Sequence, residues 1–499
     1  MSEMQSTAAP PTQAEPAAFG QGTASGSMAW QQPGIAGLWG LATAKDSLKY
    51  WLKGSSFSSF ILTRWTFAVF FVTVALNGFV VFNRVYYAGK ETELAIYPAA
   101  TALVLLFVLA TTKERSQGLY FWAAWSFWIF INLIGFVNAT NINAGNYRLV
   151  FVSIIKSWIN LIGIPWMAFR IISPDKLPRY TKILVGTVTV GSILCLVQTA
   201  YPDLFSYIRS AETMRGAGTW DNANNAALVL MLGLFISRLV DWRYRWLKWT
   251  VYLILLAGFV GTFSRGALVG FVAGEITYLV VVRNYKRMFL AGSFLVLFIG
   301  SWITIGFLVQ SNTIRIESKE IRTRVQSLSN LFMGKASEDL ETGRLYLWRA
   351  AVQDVLDEGS LLFGLGHNGM IKSSIGFAPH NEYIQYFAEG GLVGLTAFLG
   401  FLTTLGYVFW RCKDRAIRAC LLSMLVGYAV FCITGDKTFA LQMMGPFIAM
   451  MVMWAHYSRN YPGVEKVQRL KRVLARTFAS TNAPSLNALS TNAKTMSPE

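Results

Sequence analysis

Charged residues are scarce in this sequence. Asp, Glu, Lys and Arg make up 14% of its 499 residues, whereas 54% are hydrophobic. This shortage excludes an ordinary soluble domain, in which about a quarter of the residues are charged. The apolar residues instead come in blocks of about 20, the length that spans a bilayer core of roughly 30 Å. Because these blocks do not alternate like barrel strands, they predict transmembrane helices.

Cysteine and histidine are also rare, with four and three residues respectively. Neither type shows metal-ligand spacing, and the cysteines lie in or beside apolar blocks without forming a disulfide framework. The sequence has no glycine-rich phosphate loop with a lysine and no serine elbow. Asp221, Glu338, Asp339 and Glu341 could in principle hold a divalent cation, but nothing in their spacing groups them.

The apolar blocks predict an all-α, polytopic membrane helix bundle of about 12 transmembrane helices. Residues 57–310 carry helices 1–9, residues 311–379 form a polar periplasmic insert, and residues 380–457 carry helices 10–12. The insert is short, and we interpret it as a lid that covers the bundle. Residues 1–56 predict a cytoplasmic tail with an interfacial helix, and residues 458–499 predict a basic, partly disordered cytoplasmic tail. The predicted helices lie near 57–82, 92–111, 118–138, 147–170, 181–201, 223–240, 246–263, 266–283, 287–310, 380–410, 416–434 and 438–457.

The net charge of +18 has its source in the short loops. Every loop after an even-numbered helix is basic, and the positive-inside rule therefore puts both ends of the chain in the cytoplasm and the insert outside. The aromatic residues lie inside apolar blocks rather than on a basic face, which indicates lipid and not nucleic acid as the partner. The basic residues of these loops are Lys113 and Arg115; Lys176, Arg179 and Lys182; Arg243, Arg245 and Lys248; Arg283, Lys286 and Arg287; Lys413, Arg415 and Arg418.

Three arginines lie on the predicted outer side, against the orientation rule. Arg215 precedes helix 6, Arg265 lies in the short link between helices 7 and 8, and Arg344 begins an amphipathic helix of the insert. A phosphate or diphosphate ligand would explain them, because guanidinium groups match phosphate oxygens. The glycines beside Arg215 and Arg265 are expected to let such a ligand approach the backbone. The alternative is an ordinary interfacial arginine, paired with Asp or a lipid headgroup.

The strongest local signal is a glycine-rich segment, FGLGHNGM, followed by APHNEYIQYFAEGGLVGL. Polar side chains that enter a membrane helix here are expected to face a cavity; they are Glu382, Gln385, Tyr386 and Glu389. Gly390 and Gly391 allow a helix break or close packing. His380 can accept a proton near neutral pH, as a general base must, although a histidine at a helix start is more often a capping or interfacial residue. His367 and His456 fit that plainer interpretation better.

Together these motifs resemble the O-antigen ligase and polymerase family of bacterial envelope proteins. The resemblance rests on the Arg-Gly pair at Arg215, Ser264–Gly266, the Gly364–Gly369 loop, and His380-Asn381-Glu382-Tyr383 followed by Glu389-Gly390-Gly391. It covers roughly residues 200–410. Within the family, the chain is most similar to the ligases.

The resemblance implies transfer of a polysaccharide from undecaprenyl diphosphate to a sugar of lipid A–core. The reaction would be inverting, would need neither nucleotide nor metal, and would occur at the periplasmic face of the inner membrane. Arg215, Arg265 and His380 match the family's essential residues. The expected catalytic groups are His380, Arg215, Arg265 and Glu389, the last as a substitute base; the expected binding groups are Arg215, Arg265, Arg344, Asn381 and Tyr383.

Three other functions stay open. An O-antigen polymerase would share the donor and the membrane side but add glycan to glycan. A protein O-oligosaccharyltransferase would use a pilin-like acceptor. A transporter of lipid-linked glycans would show inverted repeats and helices broken near the midplane, and the sequence shows no convincing repeat.

Overall fold

The computed structural model describes most of the predicted bundle. It covers residues 56–79, 93–112, 118–137, 144–201, 215–220, 222–283, 344–367, 379–435 and 438–460, with isolated positions at 81, 300, 304, 307–309, 311 and 369. Most of predicted helix 9, most of the insert and most of both predicted tails lie outside these residues.

Every regular element in the described residues is helical, which confirms the all-α prediction for that part of the chain. The predicted bounds agree with the helices to within a few residues, apart from helix 1, which ends seven residues early, and helix 12, whose α-helix starts six residues late. The helices are α1 Ser56–Ala75, α2 Glu93–Thr111, α3 Leu119–Val137, α4 Ala144–Trp158, α5 Ile164–Ile171, α6 Leu177–Ala200, α7 Ala223–Ile236, α8 Arg245–Gly261, α9 Arg265–Val282, α10 Leu345–Asp357, α11 Glu382–Trp410, α12 Arg415–Phe431 and α13 Met444–Asn460.

Several of these helices have the composition of membrane spans. Four segments in the described residues are long and apolar enough to cross a bilayer: Phe151–Ile171, Leu177–Ala200, Arg265–Val282 and Glu382–Trp410. Shorter apolar helices accompany them at Leu62–Ala75, Ile96–Thr111, Leu119–Gly135 and Ala223–Leu239. The chain is thus a multi-pass membrane protein, whereas the total of about 12 spans stays a prediction.

The C-terminal ends of predicted helices 2, 4, 8, 10 and 12 meet at one end of the bundle. Hydrogen bonds join them there, whereas the side of the membrane on which this end lies stays a prediction. The bonds run from Arg170 Nη1 to the Thr112 carbonyl (3.3 Å), from Tyr457 OH to the Ile172 carbonyl (2.8 Å), from Arg415 Nε to the Val281 carbonyl (2.7 Å), and from the Asp414 amide to Ser458 Oγ (3.3 Å).

Helices α9 and α12 pack with their backbones almost in contact. A Cβ atom at Gly270 would lie 2.6 Å from the Gly427 carbonyl oxygen, and a Cβ at Gly274 would lie 2.8 Å from the Ser423 carbonyl oxygen. Membrane helices gain dispersion energy from such close approach, which only small residues permit. This contact fixes the start of α9, where Arg265 lies, beside the end of α12.

A π-helical segment, Ile159–Gly163, joins α4 to α5. Its Asn160 is fully buried, and its amide donates to the carbonyls of Phe439 and Leu441, each at 2.9 Å. The Asn160 side-chain oxygen accepts a hydrogen bond from Tyr97 OH at 2.7 Å. The wider π turn carries a side chain that holds the 438–441 turn in place.

Helix α11 is broken at Gly391, whose φ of 63° and ψ of −159° suit glycine alone. A segment of the insert fills the break with backbone hydrogen bonds, because the exposed amides and carbonyls need partners. The four bonds run from Leu365 N to Ala388 O (2.7 Å), Gly366 N to Glu389 O (3.0 Å), Leu392 N to Leu361 O (2.9 Å) and Val393 N to Leu362 O (3.2 Å). We call residues 361–366 with 388–393 the helix splice.

Candidate active site

Arg215 is buried, with 9% of its surface exposed, and it is bound to the link between α8 and α9. Its Nε donates to the Thr262 carbonyl at 2.9 Å, and its Nη2 donates to Asn224 Oδ1 at 3.1 Å. The same Asn224 oxygen accepts a hydrogen bond from Ser264 Oγ at 3.0 Å. Both of these acceptors are neutral oxygens that orient the guanidinium group. Arg265 follows directly as the first residue of α9.

The glycines beside the two arginines do not open a path to the backbone, contrary to the expectation from sequence. A Cβ at Gly216 would lie 2.7 Å from both the Cys195 carbonyl oxygen and Thr199 Oγ1. A Cβ at Gly266 would overlap the side chain of Thr434. Both glycines are therefore required by packing between helices.

The start of α11, which His380 precedes, lies next to Arg215 and Arg265, the two residues that we call the arginine cluster. The Glu382 amide donates to the Cys432 carbonyl at 2.8 Å, just beyond α12, and Thr434 in the same turn covers Gly266 at the start of α9. His380 is exposed and has a φ of 50°, a strained conformation for a residue with a side chain. Such strain concentrates at functional sites.

Arg344 reaches the same end of the bundle through the insert helix. It is the N-cap residue of α10, one turn before Trp348, whose indole Nε1 donates to the Pro379 carbonyl at 2.9 Å. Pro379 directly precedes His380. The structure therefore brings the backbones at Arg215, Arg265, Arg344 and His380 to one end of the bundle, opposite the basic loops.

Glu382 is fully buried, and four donors surround its carboxylate. Thr438 donates from Oγ1 at 2.6 Å and from its amide at 3.2 Å. Cys432 Sγ and Tyr428 OH lie at 3.1 and 3.3 Å. The carboxylate thus ties the first turn of α11 to α12 and to the turn held by Asn160. The sequence predicted only that the Glu382 side chain faces a cavity.

Asn381 and Tyr383 make hydrogen bonds within the protein. Asn381 is the N-cap of α11, and its Oδ1 accepts from the amides of Tyr383 and Ile384 at 3.0 and 3.2 Å. Tyr383 OH donates to the Ala429 carbonyl at 2.7 Å. Both side chains fix the orientation of the helix start that carries His380.

Glu389 lies just before the break in α11 and faces a polar cavity, as predicted for the polar residues of this helix. Gln385 and Tyr386 line the same cavity. His367, which follows the helix splice, places its Nδ1 3.5 Å from Glu389 Oε2. His367 was missed as a site residue, because only the splice brings it to a carboxylate 22 positions away in the sequence. Its place inside a glycine-rich loop was the one available signal.

The described residues contain no group of three or more His, Cys, Asp or Glu side chains that could hold a metal ion. Asp221, Glu338, Asp339 and Glu341 lie outside the described residues. The described residues bring guanidinium groups, an exposed imidazole and buried carboxylates to this part of the bundle. Fixed cations can stabilise a developing anion, and an imidazole can accept a proton.

Comparison with known proteins identifies one family. Residues 250–399 match the sequence profile of a family described as O-antigen ligase. The matched region includes Arg265, Arg344, His367, His380 and Glu389, whereas Arg215 precedes it. No significant match was found among curated proteins.

Proposed function

Because residues 250–399 match the profile of the O-antigen ligase family, we propose that this protein transfers an O-antigen polysaccharide from undecaprenyl diphosphate to a sugar hydroxyl of lipid A–core. The transfer takes place at the periplasmic face of the inner membrane and completes lipopolysaccharide. The observation that carries this proposal is the gathering of Arg215, Arg265, Arg344 and His380 at the end of the bundle away from the basic loops.

The arginines stabilise the leaving group. As the acceptor oxygen attacks the anomeric carbon, the bond from that carbon to the diphosphate breaks, and the bonding electrons leave with the diphosphate oxygen. Negative charge therefore grows on the diphosphate, which needs cations rather than a general acid. Arg215 is held rigidly by Thr262 and Asn224, and the start of α9 adds the positive end of a helix dipole. Prearranged charge of this kind lowers the barrier without reorganisation.

His380 accepts the proton that the acceptor hydroxyl loses. The attack comes from the face opposite the diphosphate, so the anomeric configuration is inverted. General-base assistance of this kind contributes about 10²–10⁴-fold to a rate. His380 is exposed, so it can return its proton to solvent after each turnover. The buried contacts of Glu382 and the Asn381 cap hold it at the helix start.

Purified protein, lipid-linked glycan and lipid A–core, with EDTA present, test this function directly. Wild-type protein should form the glycan–lipid A product. Arg215→Ala should abolish transfer while membrane insertion stays intact, and Arg215→Lys should recover only part of it, because lysine cannot make both hydrogen bonds. Arg349→Ala is the matched control, since Arg349 is an exposed arginine of α10. Normal transfer by Arg215→Ala would contradict the proposal.

The choice of acceptor separates the alternatives within the family. A polymerase would extend a second lipid-linked glycan and ignore lipid A–core, and a protein O-oligosaccharyltransferase would label a pilin-like protein. The broken α11 is a feature that transporters share. Its backbone groups, however, are bonded to residues 361–366 instead of lining an ion site, so the break does not favour transport.

A further inference from the structure

The polar cavity beside the helix splice is separate from the arginine cluster and has no role in the proposed chemistry. Helices α3, α4 and α11 surround it. Its polar lining comprises Asn132, Ser153, Ser157, His367, Gln385 and Glu389, with Phe127, Trp128 and Tyr386 among its aromatic neighbours. Polar cavities between membrane helices hold polar occupants, whereas empty cavities are apolar.

The carboxylate of Glu389 is already engaged on both oxygens. Gln385 Nε2 donates to Oε1 at 3.1 Å, and His367 Nδ1 lies 3.5 Å from Oε2. Both His367 and Glu389 are nearly buried, with 10% and 11% of their side chains exposed. The His367 amide also donates to the Gly135 carbonyl at 3.0 Å, which holds the imidazole between α3 and α11. A cationic ligand would have to displace these partners, so the cavity suits a neutral one.

Gln385 supplies the group that calls for such a ligand. Its Nε2 must face Glu389, because two oxygens placed together would repel each other, and its Oε1 therefore points away. Gln385 is 5% exposed, and its Oε1 is buried without a hydrogen bond from any residue that the structure describes. A buried acceptor of this kind needs a donor. A hydroxyl can donate to Gln385 Oε1 and can also accept from a cavity amide such as Asn132.

The cavity has a volume of about 40 Å³. One water molecule needs roughly 10–15 Å³ on this scale, so the cavity admits a hydroxyl or hydroxymethyl arm but is too small for a whole sugar ring. Gln385 lies in the first turn of α11, five residues after His380 in the sequence. A sugar unit next to the reacting one can span the separation of these two residues.

We propose that this cavity is a hydroxyl subsite for a sugar unit of a glycan substrate, with Gln385 Oε1 as its acceptor. Glu389, which His367 contacts, accepts the hydrogen bond that orients the Gln385 side chain. This inference rests on the proposed glycan transfer. The hydroxyl belongs either to the lipid A–core acceptor or to the O-antigen donor, and the two sources are separable by kinetics.

The test uses Gln385→Met, which keeps the length of the side chain but removes the acceptor oxygen. Initial rates are measured once with varied acceptor at saturating donor and once with varied donor at saturating acceptor. We expect KM for one of the two substrates to rise about fivefold to tenfold, with kcat changed by less than about twofold. Thr403→Val is the control, because Thr403 is exposed on the same helix and its hydroxyl donates to the Leu399 carbonyl.

A set of deoxy substrates separates a binding role from a structural one. With wild-type protein, a substrate that lacks the one hydroxyl that enters the cavity should show the same rise in KM as the Gln385→Met substitution causes. Gln385→Met should be insensitive to that removal, since the two changes delete one hydrogen bond. If Gln385→Met left KM unchanged for both the acceptor and the donor, or lowered only kcat, the cavity would hold only water. Either result would overturn the subsite.

Three further outcomes also decide the inference. If Gln385→Met does not fold, the deoxy series on wild-type protein decides alone, and equal KM for every deoxy substrate would refute the subsite. If Arg215→Ala abolishes transfer while Gln385→Met behaves like wild type, the proposed function stands and the subsite fails. If the wild-type protein transfers no glycan at all, both fail together.

Discussion

Replacement of Glu382 tests how the helix that carries His380 is held. The Glu382 carboxylate accepts four hydrogen bonds at full burial. In Glu382→Ala, the hydroxyls of Tyr428 and Thr438 can still pair with each other, since they lie 2.5 Å apart. The Thr438 amide has no such replacement and would lose its acceptor, at a cost of about 1–3 kcal/mol. The lost bonds to the carboxylate contribute about 1.5–3 kcal/mol each, but the substitution also removes the cost of burying a charged group. We therefore expect unfolding to be easier by about 3–5 kcal/mol, less than the sum of the lost bonds.

The effect on catalysis should be large because His380 lies two residues before Glu382. A displacement of a catalytic group by about 1 Å can lower a rate roughly 100-fold. Glu382→Gln keeps one oxygen for the Thr438 amide and should cost only about 1–2 kcal/mol, with a smaller loss of kcat. Unfolding is measured by denaturant titration in detergent, and kcat by glycan transfer.

Glu358→Ala serves as the control, because Glu358 is an exposed carboxylate at the end of α10. It should leave both the free energy of unfolding and kcat unchanged. If Glu382→Ala unfolded like the wild type and kept full turnover, the buried carboxylate would not be what positions His380.

Three further changes probe the framework of the site. Gly391→Ala should destabilise the protein by about 1–3 kcal/mol, because its backbone conformation excludes a side chain; Gly400→Ala, in open space on the same helix, should be neutral in thermal unfolding. Gly270→Ala should separate α9 from α12 and lower transfer, whereas Gly186→Ala, also in open space, should not. Asn224→Ala removes the shared acceptor of the arginine cluster and should cost about 1–2 kcal/mol, with a raised KM for the lipid-linked donor.

Much of the helical framework was predictable from sequence, because apolar blocks of membrane length leave few alternatives. The predicted start of helix 6 at residue 223 coincides with the start of α7, Ala223. The glycine pair at 390–391 allowed either a break or close packing, and α11 is broken at Gly391. The π segment that carries Asn160 was not foreseen, because nothing in the local spacing distinguishes five residues of wider helix from the rest of an apolar run.

The candidate site was predictable in its residue types but not in its connections. Arg215 and Arg265 were predicted as charges on the unexpected side of the membrane. The structure bonds the Arg215 guanidinium to the Thr262 carbonyl and, through Asn224, to Ser264, the residue before Arg265. The partnership of His367 with Glu389 depends on hydrogen bonds between distant backbone segments, which carry no signature in residue spacing. For the same reason, the packing role of the glycines beside the arginines could not be distinguished from a path for a ligand.

The helix splice has a consequence for how this end of the molecule can move. Pulling residues 361–366 away from α11 would strand four pairs of backbone groups in a poorly hydrated setting, at several kcal/mol for each unsatisfied group. The polypeptide between Arg344 and His380 is therefore anchored at its middle, so it cannot swing open as a single flap. Together with the hydrogen bond from Trp348 to the Pro379 carbonyl, the splice sets the spacing of those two positions when the chain folds.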